Sequence, residues 1–177
     1  MDIKNLIEDM ENWILNYLDV PSEHYNDLKP CPFAKKAWLN DEVKVVLGEE
    51  EEVLYEIDNW DDQHSLIAVV FEDWEGAENW SEELNKTLCK KDLYLMTYEP
   101  SEQEEEGDPA LDAIEWQVDE FGWVFIQRLS EVCKYSNLLQ TQGYYKDTSV
   151  DFINYKNQRS LHWFAPGIAR CRCRDRR

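Results

Sequence analysis

Cys31 stands between two prolines in the run Pro30-Cys31-Pro32-Phe33-Ala34-Lys35-Lys36-Ala37-Trp38. It is the residue of this sequence best placed to do chemistry. Pro32 suits the first turn of a helix, where a missing N–H costs little, and the spacing predicts a short helix over 32–39. A thiol at a helix start meets unpaired N–H groups and the positive end of the dipole, both of which favour thiolate. Lys35 and Lys36, one turn on, add positive charge. A nucleophilic or redox cysteine needs that environment, with Cys31 as the catalytic group and the two lysines in support. The competing reading is a packed structural cysteine, because free cysteines are among the most buried residues. No Cys-x-x-Cys motif is present, and no His or Asn partner can be assigned from the sequence.

The remaining polar clusters are less specific. His24, His64 and His162 are far apart and lack metal-ligand spacing. Asp58, Asp61, Asp62 and His64 would gather around a hard cation only by an arrangement unlike the EF-hand pattern, and a solvated acidic loop is the simpler reading. Cys171 and Cys173 lie too close together for a zinc knuckle and have no second pair. No phosphate loop, dinucleotide fingerprint, nucleophile elbow or zincin motif occurs. No metal and no cofactor is therefore expected.

The elements that must position these residues follow from periodicity. Apolar residues from Ile3 through Leu6, Met10, Trp13 and Ile14 to Leu18 repeat at three and four, which predicts an amphipathic helix over 3–18 with Asp2 as its cap. Val43–Leu47 reads as a strand, Gly48 with four glutamates as a turn, and Val53–Ile57 as a second strand, making a hairpin. Leu66–Phe71 is continuously apolar, as a strand buried on both faces would be. A helix over 74–88 and a strand over 93–98 complete a βαβ unit with parallel strands. Residues 99–120 hold ten carboxylates and no cation. Their first part, 101–109, reads as a mobile loop, and 110–116 as a helical turn. A strand from Gly122 leading into a helix over 128–141 follows, ended by Gly143. A last helix over 150–158, capped by Ser149, precedes an apolar, non-periodic stretch over 161–167. The fold class is α/β, with α+β as the alternative. It is a single domain over 1–165, two or three layers deep, around a mixed sheet of four or five strands. Residues 166–177 read as a basic, flexible tail.

Charge decides which partners are plausible. The 177 residues carry 38 acidic and 18 basic side chains, a formal net charge of −20. No Lys or Arg lies between Lys44 and Lys86, or between Lys91 and Arg128, whereas five arginines crowd the last eight residues. Such a body repels nucleic acid and anionic lipid and attracts basic proteins. Trp60, Trp74, Trp80 and Trp116 fall within the stretches that lack cations. Carboxylates for steering and aromatics for anchoring are what a docking surface for a basic protein requires. The competing readings are core tryptophans and acidity that serves solubility alone. No run approaches the roughly 20 apolar residues of a membrane span, and no signal peptide is recognisable at the N-terminus, so a cytoplasmic protein is expected.

The Cys31-Pro32-Phe33-Ala34-Lys35 segment, preceded by a tryptophan-bearing helix, resembles the N-terminal signature of a bacterial family of uncharacterised proteins, the DUF1415 family. The strand over 66–71, the helix over 74–88, Tyr98-Glu99-Pro100 and Phe125–Leu129 find counterparts there in the same order, over about residues 10–140. Where that family carries a His-Pro after its central strands, this chain has Glu72-Asp73 and Glu99-Pro100, so no histidine site carries over. The whole chain is also similar to hypothetical proteins of T4-like marine cyanophages. Neither resemblance supplies an activity; the two acidic stretches with interleaved tryptophans point to a small phage-type accessory protein that docks on a basic host or phage protein, in the host cytoplasm if phage-encoded. A thiol-dependent enzyme using Cys31 is the alternative. A small-molecule binder with its pocket at the strand ends near Phe71 and Tyr98 is a further one.

Overall fold

The computed structural model describes residues 3–98 and 121–164. Strands β1 (Val43–Leu47), β2 (Leu66–Phe71), β3 (Leu93–Tyr98) and β4 (Gly122–Arg128) form one sheet in the order β1-β2-β4-β3. β1 runs parallel to β2, and β4 is antiparallel to both of its neighbours. Six α-helices are described: α1 (Ile3–Trp13), α2 (Ala34–Leu39), α3 (Glu50–Asp58), α4 (Ala77–Leu88), α5 (Leu129–Thr141) and α6 (Val150–Phe164). The fold is α/β around a mixed sheet, with helices on both faces.

β2 is central, and each of its residues from Ile67 to Phe71 is buried. Ile67, Val69 and Phe71 point toward α3 and α4, where Val53, Ile57, Ala77 and Leu88 meet them. Ala68 and Val70 point the other way, onto Leu6, Met10, Trp13, Ile14 and Leu18. The apolar stripe over 3–18 is thus helical throughout, with a π-helical turn at Ile14–Leu18.

The expected hairpin does not exist. Residues 50–58 are helical, and β1 pairs with β2 instead. Val53 and Ile57 fit either a strand or a helix over so short a run. Glutamate propensity and three carboxylates in the first turn, facing the positive dipole end, decide for the helix. The β2–α4–β3 unit forms with parallel strands, but β4 lies between them, so the unit is split.

The edge of β3 is closed by α4. Asn85 accepts from the Leu95 N–H at 2.8 Å and donates to the Leu95 carbonyl at 2.9 Å, occupying backbone groups that an added strand would use. α5 starts directly from β4, and its first turn is capped from elsewhere in the chain. The Asp92 carboxylate accepts from the Ser130 N–H at 2.8 Å and from the Ser130 hydroxyl at 2.7 Å. Gly143, at φ +79, ends the turn that follows α5. The Ser149 hydroxyl accepts from the Phe152 N–H at 3.2 Å and starts α6, which runs on to Phe164, past the expected end at 158. Asp2, the expected features of 99–120 and the basic tail lie outside the described residues. Among the described residues no helix is long and apolar enough to cross a membrane.

Candidate functional site

Two places concentrate the residues singled out by the sequence: the corner around Cys31 and the acidic face of α3 and α4.

At the corner, the backbone N–H of Cys31 donates to the Leu18 carbonyl at 3.3 Å, which ties the segment to the end of the π-helical turn. The Tyr144 hydroxyl donates to the Pro30 carbonyl, and Phe33 packs on Tyr135 with ring centroids 4.0 Å apart. The corner is thereby held between the first helix and the end of α5. Cys31 packs against the apolar cluster formed by α1 and the sheet.

Burial pushes the Cys31 thiol up from its ordinary value. The N–H groups of Phe33 and Ala34 act in the opposite direction, as expected for a thiol at a helix start, but they are the smaller influence. Lys35 does not compensate, because its ammonium is engaged at 2.8 Å by Asp19, which also pairs with Lys29. The two lysines hold the Asp19 carboxyl below its usual range. Lys36 is exposed and lines a shallow depression with Lys29, Lys35 and Asp19. Among the described residues no imidazole or carboxylate hydrogen-bonds the thiol. The local geometry that favours thiolate is present, and desolvation outweighs it.

The four acidic-loop residues diverge. Asp58 pairs with Lys91 at 3.2 Å, Asp61 with His64 at 3.2 Å, and Asp62 with Arg128. They turn toward three different partners rather than toward one centre.

Between β1 and the end of α4 the surface is acidic. Every carboxylate from Glu49 to Glu83 is exposed except Glu52, which is half-buried, and Glu56, which points inward. The expected aromatic anchors do not stand out from this surface. Trp60, Trp74 and Trp80 are half-buried against the core under α3 and α4. Trp74 packs against Trp80 at 5.0 Å and edge-on to Phe71 at 5.4 Å. The Arg128 guanidinium covers the Trp60 ring at 5.6 Å. Trp116 lies outside the described residues.

The apolar groups that do project are Leu54, 39% exposed, and Tyr55, 59% exposed, both on α3. Leu54 and the glutamates 49–52 also line an open depression at the C-terminal end of β1. Reading 53–57 as a strand hid this pair, since Val53, Tyr55 and Ile57 then share one buried face. In the helix, Val53, Glu56 and Ile57 turn inward and Leu54 and Tyr55 outward. The run Glu49–Glu52 was the sequence signal for that helix start. The strand ends near Phe71 and Tyr98 are packed: Phe71 is buried and lies against Gly122 of β4.

No family model, curated protein or solved structure matches the chain.

Proposed function

We propose that this chain is a binding protein whose α3–α4 face docks a basic protein, acting as a small accessory factor in the cytoplasm, the host cytoplasm if the chain is phage-encoded. The observation that carries this reading is the exposed Leu54–Tyr55 pair set among carboxylates with no cation between Lys44 and Lys86. An apolar centre with a charged rim is the composition of a specific interface, with the rim steering encounter and the aromatic supplying contact area. Lysine or arginine side chains of the partner would meet the glutamates at the start of α3, and Tyr55 would be covered by the partner's apolar surface.

Thiol chemistry at Cys31 is the weaker reading, since burial raises the thiol and Asp19 engages Lys35. A ligand pocket between Phe71 and Tyr98 has less support still, because the ring of Phe71 fills the space beside Gly122.

The test uses the purified chain as bait, followed by identification of the captured protein and titration of the pair. A basic partner is expected, bound less tightly at high salt, with affinity falling about tenfold or more in Tyr55→Ala. Capture insensitive both to salt and to Tyr55→Ala would reject the assignment.

A further inference from the structure

Arg159 and Lys156 lie on the inner face of α6, in a chain whose acidic residues outnumber its basic ones by 20. Arg159 is 6% exposed and Lys156 1%. A guanidinium stays charged at any ordinary pH, and a buried charge is normally matched by a carboxylate. Among the described residues no carboxylate pairs with Arg159. Its Nη2 donates to the Ser136 hydroxyl at 2.9 Å, and its guanidinium lies 5.4 Å from the centre of the Tyr94 ring. Its Nε is buried with no hydrogen-bond partner.

The surroundings are rich in hydroxyls. Tyr94 and Tyr155 share a hydrogen bond between their phenols. Burial pushes the Tyr145 phenol up, while the Ser136 hydroxyl and the Arg159 charge pull it the other way. Lys156 donates to Gln140 Oε1 at 2.7 Å and sits over the Tyr145 ring at 5.6 Å. Its ammonium is close enough to Arg159 for the two positive charges to oppose one another. These groups form a donor-rich, cationic cluster between α5, α6 and β3. Neither surface depression, at Gly48–Leu54 or beside Lys36, reaches it.

We infer that the Arg159 cluster binds a compact oxyanion of the phosphate class, free or as a phosphate monoester. Its oxygens accept from Arg159 Nε and from the Ser136 and tyrosine hydroxyls. A planar guanidinium with hydroxyl donors around it matches the acceptor oxygens of phosphate. Entry is on the side of Tyr155, which is 41% exposed and is displaced from Tyr94 to admit the ligand. This site is separate from the α3–α4 face and does not depend on what docks there.

The experiment follows the Arg159 Nε–H resonance of the full chain while inorganic phosphate is added, with sodium chloride at matched ionic strength as control. A saturable shift with phosphate and none with chloride is expected. In Arg159→Gln, phosphate binding measured by calorimetry falls roughly tenfold or more, since a charge-assisted contact is removed. Ser136→Ala, which keeps both cations, is expected to weaken binding by a smaller factor, and it stands in should Arg159→Gln fail to fold. No saturable shift in the native chain, or calorimetric binding unchanged in the folded variant, overturns the inference.

Discussion

The Lys44 ammonium donates to both carboxylate oxygens of Glu56 at 2.7 Å, joining edge strand β1 to the inner face of α3. Glu56 is 3% exposed, so this carboxylate has left water, and among the described residues Lys44 is the cation that pairs with it. Removing Lys44 strands a buried charge, whereas replacing both partners with apolar groups does not. Lys44→Met is expected to destabilise the protein by about 2–3 kcal/mol, at the low end for buried pairs because the lysine stem is partly solvated. Lys44→Met combined with Glu56→Leu should return to within about 1 kcal/mol of the native chain. Urea unfolding of the three proteins measures this, and a double variant less stable than Lys44→Met would refute it.

That pair also shows where sequence reading stops. The strands over 66–71 and 93–98 were legible because each is a short run rich in β-branched or aromatic residues with polar residues on both sides. The first helix was legible from its stripe. Residues 53–57 were not, because five residues hold too little periodicity to separate alternation from a helical face. Their partner, Lys44, is distant in sequence and marks Glu56 as inward only once β1 and α3 are assembled. Strand order was hidden for a related reason: β4 enters between β2 and β3 after a long insertion, and no local pattern records it. At Cys31 the short helix was legible, but it starts at Ala34 and leaves Pro32 in the preceding turn, and burial depends on packing against α1 and the sheet, which lie elsewhere in the chain. Trp60, Trp74 and Trp80 stood out by type and position in the sequence, and in the fold they are half-buried against the core.

Cys31 should behave as a shielded thiol. With burial pushing its ionisation up, the alkylation rate of the folded chain is expected to rise with pH later than that of a free cysteine, and to jump on unfolding. Mass spectrometry of peptides after timed iodoacetamide treatment separates Cys31 from the other cysteines. A Cys31 that reacts faster in the folded chain than in urea would restore the nucleophile reading.

Asp19 makes a pH prediction of definite sign. Its carboxyl titrates lower in the folded chain than in the unfolded one because Lys29 and Lys35 bond to it. Its stabilising contribution is therefore complete above the unfolded value of 3.8 and is lost as pH falls through the lower, folded value. Asp19→Asn should flatten the acid limb of a stability–pH curve in that window, and Lys29→Met should move the Asp19 carboxyl resonance titration upward. An Asp19 titration unmoved by Lys29→Met would show that the pair does not persist in solution.

Gly122 opens β4 opposite Phe71, and a Cβ placed there would lie 2.0 Å from two carbons of the Phe71 ring. The ring occupies the space because glycine leaves it vacant, and the ring in turn closes the strand end where a ligand pocket was expected. Phe71 is buried between β4 and Trp74, so it cannot step aside without disturbing Trp74, which packs on Trp80. Gly122→Ala is accordingly expected to cost about 1–3 kcal/mol through overpacking. Adding Phe71→Leu should recover part of that loss, because the smaller side chain makes room for the methyl group even though it buries less surface. The two effects then combine non-additively, as contacting residues do. Chemical unfolding of the single and double variants reads the coupling directly, and strictly additive losses would mean that ring and backbone do not meet as described.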